Sequence, residues 1–192
     1  MALLDSAEQL LSARPLADIS LTDIASGAGL SRAGVYFYFD NKDALVEAAI
    51  ARRVNELLKA ISDWTASPDA PFATSAEQCI QACFAIWRRS GPLLTAAVGM
   101  LSHRPALRAA WEEYFHRCAD ILATAIERDR DRGLLPHHGD ARAMALALSW
   151  MVERNAYMLY SRNHTEEEEQ TLLTTLTLLC RQAVGATTPP NT

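Results

Sequence analysis

Between residues 21 and 42 the chain reads LTDIASGAGLSRAGVYFYFDNK, a stretch that gathers side chains suited to holding a polyanion and reading base edges. The Arg32 guanidinium can donate to guanine O6 and N7 or to a phosphate, and Tyr36 offers a hydroxyl and an apolar ring for a thymine methyl. Thr22, at a helix start, can bring its hydroxyl and a backbone N–H to a phosphate, and Lys42 supplies a cation for a second one. Gly34 lets a helix approach a groove closely. The spacing says how these groups are positioned. Leu21, Ile24 and Ala25 keep a helical period and bury one face. Gly27, Ala28 and Gly29 end that helix, and Gly29 supplies the positive φ of a tight turn. Ser31 caps a second, short helix predicted over residues 32–39. On it Val35 and Phe39 lie one turn apart and face inward, leaving Arg32, Ala33, Gly34, Tyr36 and Tyr38 outward. Phe37 is undecided between the groove and the inter-domain seam. Two helices joined by such a turn form a helix-turn-helix, whose second helix enters the major groove of double-stranded DNA. The competing reading packs Tyr36 and Tyr38 into a small core with only their hydroxyls exposed.

Other reactive side chains do not assemble into a catalytic set. His103, His116, His137, His138 and His164 are scattered, and no glycine-rich phosphate loop is present. Cys79 and Cys83 share a helix face at i and i+4, a metal or redox possibility that lacks a second ligand pair. The expectation is therefore no catalytic residues, no metal and no cofactor, with a metal- or redox-active helical protein as a minor alternative. Glu153 and Arg154 interrupt an otherwise apolar run from residue 143 to 160. They are read either as an internal salt bridge or as a carboxylate facing a cavity, where Glu153 accepts a hydrogen bond from a ligand amine or amide.

Composition narrows the class. Of the 192 residues, 49% are hydrophobic, enough for a substantial core. A net charge of −5 argues against general nucleic-acid coating. Through Ala60 there are six Lys and Arg against eight Asp and Glu, so any DNA contact must rest on a few placed cations. That balance motivates an alternative: a helix-turn-helix-derived interaction module without DNA binding. No positively charged leader precedes the first helix, and the longest apolar run, residues 143–152, is too short to span a bilayer. A cytoplasmic protein with reduced, buried cysteines is expected.

Almost no strand-like alternation exists, and the period throughout is helical. Leu3, Leu4, Ala7, Leu10 and Leu11 line the first helix, which Arg14-Pro15 ends. Asn41 caps a long fourth helix through Trp64, followed by a loop over residues 67–71. Thr74 and Glu77 read as a capping box for a fifth helix to about Arg89, and Gly91-Pro92 separates it from a short sixth over residues 93–101. Pro105 opens a seventh, stopped by Gly133 and Pro136. Asp140 caps an eighth to about Tyr160, and a Thr165/Glu168 capping box starts a ninth that ends near Gly185. The acidic run from Glu166 to Glu169 then has a local reason, since acids stabilise a helix N-terminus.

The run Ile24-Ala25, Ala28-Gly29-Leu30-Ser31, Tyr36, Tyr38-Phe39, Lys42 and Leu45 resembles the DNA-binding signature of the TetR family of transcriptional regulators. The segments RPLADIS, YFYF and ERDRDRG resemble more narrowly its mycobacterial EthR-type repressors. The resemblance implies an all-α fold of three plus six helices. Residues 1–45 would form the DNA-binding domain, residues 46–185 a ligand-binding and dimerisation bundle, and residues 186–192 a mobile tail. It puts Thr22, Arg32, Tyr36, Tyr38 and Lys42 where such proteins touch DNA. It also implies a hydrophobic channel through the bundle, here lined by Cys83, Trp87, Trp111, Phe115, Ser149, Val152 and Tyr157. Where that branch offers asparagine amides on the eighth helix, this chain has Ser149 and Val152, so ligand preference should differ. The homodimer contact implied is a four-helix arrangement of the eighth and ninth helices, with Ala147, Met151, Met158, Leu172, Leu176 and Leu179 as outward candidates. A polar, often basic arm usually precedes the first helix in the family, whereas this sequence enters its first helix almost at Met1. The implied function is a repressor that binds a palindromic operator as a homodimer. A small hydrophobic effector releases it by favouring a conformation with wrongly spaced reading helices.

Overall fold

The computed structural model describes residues 2–66 and 71–186. Residues 67–70 of the loop predicted over 67–71, and residues 187–192 of the tail predicted over 186–192, lie outside the described residues. Within them the chain is helical throughout, without a strand. In order come α1 (Ala2–Ala13), a 3-10 turn (Leu16–Asp18), α2 (Leu21–Gly27), α3 (Arg32–Tyr36), α4 (Lys42–Thr65), α5 (Phe72–Met100), α6 (Pro105–Asp131), α7 (Ala141–Tyr160) and α8 (Glu166–Ala183).

Among the described residues eight α-helices replace the nine expected. The predicted fifth and sixth are one helix, α5, in which Ser90 alone leaves helical geometry, at φ −128° and ψ 19°. Pro92 lacks the N–H that would bond back across this point, but its fixed φ suits the first turn of a helix, so the segment resumes at once. The expected eighth and ninth helices are thus α7 and α8. The Thr74/Glu77 capping box does not form, because α5 starts earlier. Its first N–H, at Phe72, donates to Asp129 Oδ2 at 2.5 Å, and Thr74 N already bonds to the Pro71 carbonyl. The predicted caps at Ser31, Asn41, Asp140 and Thr165 are present, and an unforeseen capping box at Ser20 joins them, each side chain accepting from the N–H three residues on. A cap of this kind contributes about 1 kcal/mol.

The small head is built by α1, α2 and α3 against the start of α4. Leu3, Ala7, Leu11, Ile24, Ala25, Val35, Leu45, Val46 and Ala49 form its core. The Ser6 hydroxyl donates to the Ile24 carbonyl at 2.9 Å, and a Cβ at Gly27 would lie 2.3 Å from that hydroxyl oxygen. Gly27 is therefore required by the close approach of α1 and α2, and Gly29 by its φ of +69°. The Lys42 ammonium reaches back to the carbonyls of Leu16 and Ile19, both at 2.8 Å, and ties α4 to the 3-10 turn.

The remaining helices form a bundle in which α6 lies along α7 and α5 meets α4, α7 and α8. Charged pairs stitch the head to it. Arg52 binds Asp5 and Glu8, Arg53 binds Glu8 and Glu56, and Arg89 binds Glu56. Arg104, just past the end of α5, binds Asp43 and Glu47 in the first turns of α4, both at 2.5 Å. The Glu168 carboxylate closes its capping box and Glu169 pairs with Arg88, so part of the acidic run has intramolecular partners.

Candidate nucleic-acid interface and ligand cavity

The short helix α3 presents an uneven cylinder. Val35 is fully buried and Phe39 packs half-buried against the core. On the other side Tyr36 is 48%, Phe37 85% and Tyr38 65% exposed. The plain-packing alternative for the two tyrosines therefore fails, and Phe37 faces solvent. Arg32 Nη2 lies 3.3 Å from the Tyr36 hydroxyl, and its guanidinium carbon sits 5.8 Å from that ring, so the two side chains share one face. Ala33 is exposed beside them, and Thr22 is exposed at the start of α2. Gly34 is half-buried, with its N–H held by the Ser31 cap at 3.1 Å. The helix is shorter than expected, ending at Tyr36, and Phe37 to Phe39 continue as a turn bonded to Val35.

Lys42 stands apart from this group. It is half-buried, and its ammonium is engaged by two carbonyls rather than presented outward. Arg14, Arg52, Arg53 and Lys59 pair with acids. Among the described residues Arg32 and Lys42 are thus the head cations outside these ion pairs, and of the two Arg32 is the one that stands exposed. The acidic balance of this half has a structural use, because its carboxylates neutralise arginines that hold helices together.

The second site is a cavity enclosed by α4, α5, α6, α7 and α8, with a volume of about 100 Å³. Cys83, Trp87, Trp111, Phe115, Ser149, Val152 and Glu153 line it. Tyr157 does not: although it follows Glu153 by about one turn, its ring lies against the Arg154 guanidinium, 5.1 Å from the ring centre. The wall also includes Leu57, Ile61, Cys79, Tyr114, Leu148 and Cys180, which the expected channel lining does not contain. Its aromatic groups are braced by ring contacts, with Tyr114 edge-on to Phe115 at 4.9 Å and Phe115 stacked at 3.9 Å on Trp150, which lies outside the lining.

All four cysteines of the chain line this apolar space, and each is a free thiol. Burial pushes Cys79 and Cys83 up to about 12, and Cys118 and Cys180 up to about 11. Such thiols stay protonated and make poor nucleophiles or metal ligands. Among the described residues no group of three or more His, Cys, Asp or Glu is arranged to hold a metal ion.

Glu153 is the exception to the apolar wall. It is 5% exposed, and its carboxyl is pushed above the usual range by burial, with Arg154 partly opposing. The salt bridge expected with Arg154 is loose, at 3.9 Å, and neither carboxylate oxygen has a hydrogen-bond partner.

On α7 and α8, Ala147, Met158 and Leu179 are exposed, and Met151 and Leu172 are half-buried. Leu176, expected outward, is a correction: at 1% exposure it belongs to the chain's own core, because the α8 face bearing it packs inward. Leu178, which the spacing missed, is 48% exposed on the open side. No helix of the described residues is long and apolar enough to cross a membrane.

Comparison with known proteins agrees with both halves. Residues 76–184 match the family described as "Transcriptional regulator EthR, C-terminal domain", and residues 3–49 match "Bacterial regulatory proteins, tetR family". The chain is 31% identical over 189 residues to the HTH-type transcriptional regulator EthR of Mycobacterium tuberculosis (strain ATCC 25618 / H37Rv), covering 92% of this chain and 82% of that protein. Its fold is similar to a TetR transcription regulator from Haloarcula marismortui ATCC 43049, with a TM-score of 0.76 at 19% identity over 96% of this chain and 95% of that one. It is also similar to SmeT, the repressor of the Stenotrophomonas maltophilia multidrug efflux pump SmeDEF, with a TM-score of 0.72 at 20% identity over 99% and 93%.

Proposed function

The chain belongs to the TetR family of bacterial transcriptional regulators and carries an EthR-type C-terminal domain, and from that premise we propose that it is a ligand-responsive repressor acting as a cytoplasmic homodimer. The observation that carries this reading is the outward face of α3, where Arg32, Tyr36 and Tyr38 stand exposed on a helix anchored by a fully buried Val35. An aromatic-rich exposed face at the end of a capped helix-turn-helix is suited to a major groove. Thr22 and Ala33 flank it, and Gly34 lets the backbone come close. Lys42 acts by positioning the reading unit through Leu16 and Ile19.

A single head recognises half of a palindrome, and two-fold pairing supplies the other half. Exposed Met158, Leu178 and Leu179, with Ala147, Met151 and Leu172 beside them, support a pairing surface on α7 and α8. The cavity takes a small hydrophobic effector. At about 100 Å³ it is tight, so a larger ligand must part its walls. Parting α5 from α4 would strain the Arg104 clamp on Asp43 and Glu47 and favour a head spacing that no longer fits the operator.

The test is a fluorescence-anisotropy titration of the full chain against DNA flanking its own gene, comparing the natural protein with Tyr36→Ala. Sequence-specific, salt-sensitive binding lost in the variant supports the reading. A folded dimer that binds no genomic fragment would instead favour an interaction module without DNA binding.

A further inference from the structure

If the cavity is the effector site, as proposed above, one group on its wall has no hydrogen-bond partner among the described residues. Glu153 is buried on α7, its side chain 6% exposed, and both carboxylate oxygens lack a hydrogen bond. A buried carboxylate without donors is costly, and folding usually avoids one. The surrounding groups cannot serve it. Arg154 Nε is 3.9 Å away, beyond hydrogen-bond reach, with its side chain 54% exposed. Arg53, on the α4 side of the cavity, spends its donors on Glu8 and Glu56. The Ser149 hydroxyl, one turn before Glu153, donates to the Ala145 carbonyl at 2.8 Å. Groups on the wall from the other helices, Cys79 and Cys83 of α5, Tyr114 and Cys118 of α6, and Cys180 of α8, are neutral, and none of them hydrogen-bonds the carboxylate.

We propose that the effector is a lipophilic amine whose apolar body lies among Trp87, Trp111 and Phe115 and whose protonated nitrogen donates to the Glu153 carboxylate. The nitrogen supplies the donors that the protein withholds, in a charge-assisted hydrogen bond of the stronger kind. An alcohol of the same shape offers one donor and no charge, and a carboxylate repels. The aromatic wall also favours a cation over an anion. Because burial holds the Glu153 carboxyl above its ordinary value, the amine's advantage shrinks on acidification as that carboxyl takes up a proton.

The experiment uses the full chain and three probes of matched shape: 4-phenylbutylamine, 4-phenylbutan-1-ol and 4-phenylbutanoate. Binding is followed by calorimetry and by tryptophan fluorescence, since Trp87 and Trp111 line the cavity. At about pH 7.5 the amine should bind at least about tenfold more tightly than the alcohol, as a charge-assisted bond implies, with the carboxylate weakest. In Glu153→Gln the amine should fall to the alcohol's level while the alcohol is unaffected. Equal binding of amine and alcohol by the natural chain overturns the amine assignment but leaves the cavity as an effector site. Retention of the amine preference in Glu153→Gln overturns the role of the carboxylate. Binding of none of the three removes both the assignment and the cavity reading beneath it. Should the variant not fold, the ranking of the probes on the natural chain still decides.

Discussion

The reading helix and the cavity are both aromatic, and they turn their rings in opposite directions. Tyr36, Phe37 and Tyr38 stand in water above a single buried valine, while Trp87, Trp111 and Phe115 are each 5% exposed or less. Outward rings cost apolar exposure in the free protein, which a folded domain tolerates only over a small area. Inward rings are stabilised by burial at about 25 cal/mol per Å². The two sites therefore respond differently to substitution. Trimming the outward face should change what the protein binds and not how well it folds, whereas trimming the wall changes both.

The largest effect expected concerns recognition alone. Tyr36→Ala or Arg32→Ala should weaken operator binding by about 10- to 100-fold, the scale of about 1–3 kcal/mol per base-reading contact. The melting temperature and effector affinity should not move, and a fall in either would break the separation of the two sites. Lys42→Ala tests the intermediate case. Losing two hydrogen bonds from a charged donor should cost about 2 kcal/mol of stability and lower operator affinity with it. A variant with unchanged melting temperature and a shallower salt dependence would mean that Lys42 acts on phosphate after all. Arg104→Ala should leave each affinity nearly intact. It should, however, reduce the effector's influence on operator binding by about fivefold, roughly 1 kcal/mol of coupling, read by titrating DNA with and without ligand. The smallest effect is a pH dependence. Because the Glu153 carboxyl is raised by burial, the folded chain retains a proton that the unfolded chain releases. Ligand-free stability should therefore decline as pH rises from the ordinary carboxylate value through the raised one. Glu153→Gln should remove that decline and melt higher than the natural chain at about pH 8, with the gap closing toward about pH 5.

The same contrast explains what was legible in the sequence. The head is written in short-range chemistry. Ser20 with Asp23, Ser31 with Gly34 and Asn41 with Ala44 are all partners three residues apart, so their caps can be read from spacing. The inward turn of Val35 follows from a period. The cavity is assembled from five helices, and spacing marks a helix's apolar side without saying which part of it meets a void. Tyr157 follows Glu153 by four residues but turns toward Arg154, and Leu176 lies on the α8 face that the core claims. The start of α5 escapes a local reading because its cap, Asp129, comes from 57 residues away. The inward reach of Lys42 is not legible because nothing local foretells that the carbonyls of Leu16 and Ile19, at the two ends of the 3-10 turn, lie within its range.

Ser90 acquires a mechanical meaning from its place in α5. It follows the wall residue Trp87 and precedes another, Leu94, and the rod beyond it ends beside Arg104, which grips α4. Ten residues of helix measure about 15 Å, so a tilt of about 5° at this joint displaces the far end by roughly 1 Å. A pivot at the cavity and a grip at the head make the second half of α5 a lever arm. On the proposed reading, a shift too small to disturb the packing of the cavity would arrive at the grip enlarged, where the two ion pairs of Arg104 would either hold or let go.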